Sequence, residues 1–412
     1  MTSRLLLFTN DYPYASGDAV FVEKEIRDLA ATFDDVVVFC HARDTSAGVV
    51  EMPGNVALGG NLFVPVPEDR IWTPLTPRYL GLIARAAWAE LRAGRLLRHA
   101  RLFLMAARVG VTQANRRAVR DAVAGADRIV AYGFWGMGGG LAVPWVRGVD
   151  ARVVRVHGYD LYEYRSASGY LPFRPFLFDR ADRILTISQD GARYVAERHP
   201  QRGVAAKIRV SRLGVPGPRV LERSPRAGER LVVSCSAVSD LKRVGLILSA
   251  LKVLPGLSAD RPVRWVHFGD GPLADELAAA AAELPEGLTV ELAGRTPNAA
   301  VTDFYDTTRV DVFVNASTTE GVPVSIMEAI ARGIPIVATS VGGTPEIVGP
   351  DLGTGELVPR EVSARALAEV IRAVLDAPDD AYRPRRLWER EFDVQVTGPR
   401  AAELVRTAGE AS

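Results

Sequence analysis

A short apolar run, 5–8, breaks at polar turn residues, and units of the same kind recur along the chain. Further apolar runs of strand length stand at 36–40, 129–132, 153–156, 183–187 and 208–211. Near-continuous apolar character, rather than alternation, is the pattern of strands covered on both faces. The segments between them follow a longer period. In 20–33, Phe21, Ile26, Leu29, Ala30 and Phe33 fall roughly on one helical face, which predicts a helix through this stretch. Strands alternating with helices predict parallel βαβ units.

Two closely spaced Pro/Gly clusters, Gly214-Val215-Pro216-Gly217-Pro218 and Ser224-Pro225-Arg226-Ala227-Gly228, can continue neither a helix nor a central strand. The pattern then restarts with a strand at 231–236 and a helix at 241–251, whose Val244, Ile247, Leu248 and Leu251 face the core. Strands follow at 263–268, 288–292, 310–315 and 335–338, and the charged tail from 361 reads as helical. The expected fold is α/β, with two Rossmann-like, doubly wound parallel-sheet domains at 1–215 and 229–380. A linker is expected at 216–228, and the helices of 381–412 are expected to return to the first domain. Ligands of such sheets bind beyond the carboxyl ends of the strands. Two of them facing one another would form an interdomain cleft with one substrate held by each half.

Composition narrows the function classes. The 412 residues are 48% apolar and 24% charged, with a net charge of only +1, so nothing in the balance calls for nucleic acid. The two cysteines, Cys40 and Cys235, each sit in an apolar run and read as buried thiols of a reducing compartment. The first apolar run is too short for a secretory h-region, and no stretch approaches the ~18 apolar residues of a spanning helix, so a cytoplasmic protein is expected. One segment departs from the even balance. Residues 77–120 hold ten arginines against a single acid, Glu90, with Trp88, Leu91, Leu96, Leu97, Leu102, Phe103 and Leu104 between them. Two readings stand: an amphipathic helical pair with a solvated face, or a basic surface giving peripheral contact with anionic lipid or a lipid-diphosphate acceptor.

Candidate chemistry concentrates in 315–348, NASTTEGVPVSIMEAIARGIPIVATSVGGTPEIV. Glu320 falls on a loop and Glu328 on the following helix, and a carboxylate at each place can accept a pair of sugar or ribose hydroxyls. Between them Gly321, Val322, Pro323 and Val324 open the helix, where backbone N–H groups suit an anionic phosphate. This segment resembles the E-x7-E signature of retaining GT-B glycosyltransferases, especially the family known as GT4. The likeness extends to FGDGPLADELAAAA, with Gly269 and Gly271, to LAGRTPNAAVTDFYDTTRVDVFVNAS, and to GGTPEIV; it is strong over 230–360 and loose in the first half.

The resemblance implies a nucleotide-sugar donor, UDP before GDP, and a glycan, lipid-linked or small-molecule acceptor. Glu328 would bind the ribose and Glu320 the donor sugar. The backbone at Gly294 and Arg295 would flank the base, and Lys242 would meet the diphosphate. The family's arginine before that lysine is replaced here by Ala237, so Arg243 is the candidate substitute. In the first half, His157-Gly158-Tyr159-Asp160 resembles the family's H-G-x-D element, with His157 near the donor sugar and Asp160 orienting it or binding an acceptor hydroxyl. Gly17 corresponds to a glycine loop near the diphosphate or acceptor.

No cofactor is expected. Asp-x-Asp triplets are absent and the five histidines are scattered, so the resemblance and the residues agree on a reaction without metal. The glycines at 269–271 lack the third glycine of a dinucleotide fingerprint, which argues against a dehydrogenase. A nucleotide-sugar epimerase or phosphorylase, and a non-catalytic sugar-nucleotide-binding partner subunit, remain as alternatives; Ala237 favours the last.

Overall fold

The structure, a computed structural model, describes residues 2–64, 77–220, 228–254 and 256–410. The chain forms two compact units, Met1–Leu213 with Thr397–Ser412, and Gly214–Val396.

The first unit is built on seven strands: β1 (Ser3–Phe8), β2 (Asp35–Cys40), β3 (Val56–Asn61), β4 (Arg128–Gly133), β5 (Ala151–Val156), β6 (Arg183–Thr186) and β7 (Ile208–Val210). They lie parallel in the order β3-β2-β1-β4-β5-β6-β7. β1 sets the register, with Leu5 opposite Val36 on one side and Val130 on the other. Both faces of the sheet are covered. Leu5, Leu7, Val38, Val130 and Val153 enter one core, and Leu6, Phe8, Phe39, Ala131 and Val154 enter the other. Side chains alternate across a strand, so a strand with two buried faces must be apolar at every position. This is why these runs read as continuous.

The second unit repeats the plan with β8 (Arg230–Cys235), β9 (Val263–Phe268), β10 (Leu288–Gly294), β11 (Val312–Asn315), β12 (Ile336–Thr339) and β13 (Gly355–Val358), in the order β10-β9-β8-β11-β12-β13, all parallel. Strand order reverses between β1 and β4 in the first sheet and between β8 and β11 in the second. Those are the switch points where ligands of open α/β sheets bind.

Several expectations shift. The helix expected across 20–33 is two, Ala19–Val22 and Ile26–Thr32. Between them Glu25 turns into the interior, where both carboxylate oxygens accept from Arg155 Nη1 at 2.7 and 2.6 Å. The helix expected from 241 begins at Val244, because Arg243 takes a left-handed conformation with φ 48°. The segment 381–412 divides. Ala402, Val405 and Ala408 join the first unit's core, and Arg183 donates to the Leu404 carbonyl at 2.7 Å. The helix Pro384–Glu391 stays with the second unit, because Trp388 Nε1 donates to the Val215 carbonyl at 3.1 Å and Arg385 to that of Pro218 at 2.6 Å. Of the expected linker, 221–227 lie outside the described residues, and 216–220 belong to the second unit.

Candidate functional site

In the second unit the candidate residues converge on loops at the carboxyl ends of β8, β9, β10 and β11. β8 ends at Cys235, and the turn that follows brings Lys242 to the loop beyond β11. There Lys242 Nζ lies 2.6 Å from Glu320 Oε1, which also accepts from Asn315 Nδ2 at 3.4 Å. Glu320 is 7% exposed, so its charge is held by this pairing rather than by bulk water. The loop is braced from β12, where Thr339 Oγ1 donates to the Ser317 carbonyl at 2.5 Å, and from the loop after β12, where Gly343 N donates to the Gly321 carbonyl at 2.8 Å. A Cβ at Gly342, which has φ 50°, would fall 2.0 Å from the Glu320 carbonyl. The helix Val324–Ala331 follows, with Pro323 as its N-cap, and Val322 and Pro323 are buried beneath it.

Glu328 lies on that helix, 5% exposed, and accepts from Asn298 Nδ2 at 2.9 Å. Cys235 and Tyr305 are its electrostatic neighbours. Burial, with the Glu328 charge adding, pushes the Cys235 thiol up to about 12 and the Tyr305 phenol well above its ordinary range, so both stay protonated donors. Glu320, paired with Lys242, thus sits on the loop before the helix Val324–Ala331, and Glu328, paired with Asn298, on the helix itself, both beyond the carboxyl end of β11.

Other candidates in this unit have local structural roles as well. Arg243 is held by backbone carbonyls. Its Nε donates to the Ala316 carbonyl and its Nη2 to that of Arg360, both at 2.7 Å, because the left-handed backbone turns the side chain toward those loops. Gly269 and Gly271 owe their identity to loop packing. A Cβ at Gly269 would lie 1.8 Å from the Ser236 carbonyl, and one at Gly271 2.4 Å from that of Val238. Their absence of side chain lets the loop after β9 rest on the loop after β8. Gly294, at φ 64°, stands in open space beside exposed Arg295, an accessible ledge next to that packing.

In the first unit the loop after β1 is organised by Asp18, which accepts from the backbone N of Asn10, Asp11 and Tyr12 at 2.7–2.8 Å and from Trp135 Nε1 at 2.8 Å. Gly17, at φ 53°, is required here, since a Cβ would meet Asp11 Oδ2 at 1.8 Å. Trp135 in turn packs on His157, with ring centroids 3.9 Å apart. His157 is 4% exposed; its Nδ1 lies 3.7 Å from Asp160 Oδ2, and its Nε2 has no hydrogen-bond partner among the described residues. Burial lowers its pKa against the opposing pull of Asp160, which favours the neutral ring, and Nε2 is the nitrogen left clear of that carboxylate. Asp160 is fully buried. Its carboxylate accepts from His157 N and Gly136 N, both at 2.8 Å, which fixes the loop.

Sequence reasoning passed over Asp18, Trp135, Asn298 and Asn315. Asp18 directly follows the glycine it supports, and Asn315 opens the segment that was singled out; the other two carry no local signal. Among the described residues no group of three or more His, Cys, Asp or Glu could hold a metal ion.

Two doubly wound parallel α/β units of this plan constitute the GT-B fold. Over the whole chain the structure is similar to sucrose-phosphate synthase (tll1590) from Thermosynechococcus elongatus, at 18% identity and a TM-score of 0.67, with 100% of both chains covered. It is also similar to Anabaena Alr3699/HepE in complex with UDP, at 15% identity and a TM-score of 0.61 over 99% of this chain and 100% of that one. Residues 222–387 match the family described as Glycosyl transferases group 1, which takes in Glu320, Glu328 and Lys242. The protein of Escherichia coli (strain K12) named "Putative colanic acid biosynthesis glycosyltransferase WcaL" is 31% identical over 63% of this chain. That match spans 65% of the relative's own length.

Proposed function

We propose that this chain is a glycosyltransferase that moves a sugar from a nucleoside-diphosphate donor, UDP ahead of GDP, to a glycan, glycolipid or small-molecule acceptor, with retention and without metal. The observation that carries the reading is the buried Glu320, paired with Lys242, eight residues before the buried Glu328 on the loop and helix that follow β11. Glu328, fixed by Asn298, is assigned the ribose hydroxyls. Glu320 is assigned the donor sugar, and Lys242 the diphosphate, whose growing charge it meets on leaving the carboxylate it now holds. His157, with Nδ1 facing Asp160 and Nε2 free of a hydrogen bond, is assigned a hydroxyl of the reacting sugar. In the proposed step the bond from the anomeric carbon to the phosphate oxygen breaks and the bond to the acceptor oxygen forms on the same face. The acceptor proton passes to the departing phosphate. Positioning and fixed charge then supply most of the rate. The UDP held by the similar Anabaena protein supports the choice of base, and the name of the Escherichia coli relative supports a polysaccharide acceptor.

Proton NMR of the product from an α-linked donor, run with EDTA present, tests the reading. An α-linked product at undiminished rate is expected; a β-linked product, or loss of turnover restored by a divalent cation, contradicts it. One observation favours a second reading. With Ala237 in place of a cation and Arg243 committed to carbonyls, Lys242 alone of the three meets Glu320, as a non-catalytic sugar-nucleotide-binding subunit would tolerate. UDP release from a UDP-sugar, measured with and without acceptor, separates the two.

A further inference from the structure

The helix Leu80–Arg92 has two apolar faces. One turns Ile83 and Ala86 into the core of the first unit. The other consists of Leu80, Ala84, Trp88 and Leu91, spaced i, i+4, i+8 and i+11 so that they stack along one side. All four are exposed, Trp88 at 60%, and Leu97 in the first turn of the next helix, Leu96–Ala114, is exposed at 86%. An aligned stripe of this kind differs from singly scattered surface leucines, which need no explanation.

Charge on the same segment is one-sided. Glu90 is the single acid of 77–120 and is 0% exposed, so every exposed charge along it is an arginine. Trp88 also lines a pocket of about 820 Å³ with Arg85, Arg92, Arg95, Arg198 and Arg202, against one lining carboxylate, Asp179. Asp179 pairs with Arg85 at 2.6 Å, and Glu163 behind the wall takes both Arg95 and Arg198. Arg92 and Arg202 have no ion-pair partner among the described residues. A cation in the last turn of a helix is an ordinary answer to the helix dipole and would account for Arg92 and Arg198. It accounts neither for Arg202 nor for an indole and a leucine held in water beside them.

We propose that this face docks on an anionic phospholipid surface, the stripe from Leu80 to Leu97 entering the headgroup boundary and a lipid phosphate seating between Arg92 and Arg202. Guanidinium forks match phosphate geometry, and a tryptophan beside them suits the interface between water and acyl chains. No helix among the described residues is long and apolar enough to cross a membrane, so the contact lies in the plane of the interface. The proposal is independent of the transfer reaction.

Flotation of the full chain with vesicles tests it. Vesicles of phosphatidylcholine mixed with phosphatidylglycerol should carry the protein, raised salt should release it, and phosphatidylcholine alone should not bind it. The double variant R92E/R202E should lower partition by more than roughly 30-fold, since each basic residue near such a surface contributes about fivefold and reversal adds repulsion. Trp88→Ala should weaken binding while melting as wild type does, its indole being exposed. The Trp88 share of the emission, taken as wild type minus Trp88→Ala because the chain has six tryptophans, should shift to the blue with anionic vesicles and stay unchanged with inorganic phosphate. Equal flotation on both vesicle types, no flotation, or an R92E/R202E variant that floats like wild type would overturn the proposal. A Trp88 response to inorganic phosphate without flotation would assign the pocket to a soluble anion and overturn it too.

Discussion

Lys242 and Glu320 neutralise one another at 2.6 Å, and removing either partner should be felt in the chemistry more than in the fold. Lys242→Ala takes away the charge assigned to the leaving group. Loss of one such donor costs about 10²-fold in kcat, with a smaller change in KM, and steady-state kinetics on a UDP-sugar would show it. Arg243→Ala should behave differently, because its guanidinium binds the Ala316 and Arg360 carbonyls. The expected effect is a loss of stability of about 1.5–3 kcal/mol, read from urea unfolding. A selective fall in kcat at unchanged stability would instead restore Arg243 to the phosphate. The glutamates and the lysine were legible because their meaning lies in short segments with local helix and loop signals. Asp18 and Trp135 were not, because their role exists only in a contact between residues 117 positions apart. The left-handed backbone of Arg243 was not legible because nothing in its neighbourhood announces it.

At the scale of elements, the strands that sequence pattern found are mostly those covered on both faces, whose every position must be apolar. The two it missed, β3 and β13, are sheet edges, and the glycines of Val56–Asn61 blur the apolar run that a central strand requires. The helix break at Glu25 was hidden for another reason: the carboxylate fits a solvated helical face as well as it fits Arg155, and only the fold decides. Glu25→Ala leaves the Arg155 guanidinium buried at 0% exposure without its partner, which should cost about 3–5 kcal/mol. Calorimetric melting of the variant checks this; a melt unchanged from wild type would mean that the Ser211 carbonyl and hydroxyl suffice for the guanidinium.

The molecule as a whole carries a pH dependence set by buried imidazoles. Burial, the leading cause in each, depresses His41 and His267 to about 4 and His199 to about 3 from an ordinary 6.5, and lowers His157 as well. In the unfolded chain these groups take up protons below about 6.5, while the folded chain resists until about 4. Their stabilising contribution is therefore complete above 6.5 and is lost as pH falls through that window. Glu90, raised to about 7 chiefly by burial, works the other way, since its penalty fades as pH falls toward 4.5. Burial also raises the Asp11 and Asp28 carboxyls, which act with Glu90, but four depressed histidines titrate across the upper part of the window, so thermal midpoints should drop progressively on acidification below about 6.5. A midpoint constant down to pH ~4.5 would contradict the buried neutral rings.

The central claim is that the Glu320–Glu328 segment of the second unit binds a nucleoside diphosphate, and titration calorimetry with UDP on the wild type and on Glu328→Gln tests it most directly. The wild type should bind one UDP per chain, and the variant should lose about 1–3 kcal/mol through its weakened grip on the ribose. Absence of UDP binding, or a Glu328→Gln variant with wild-type affinity, would contradict the account.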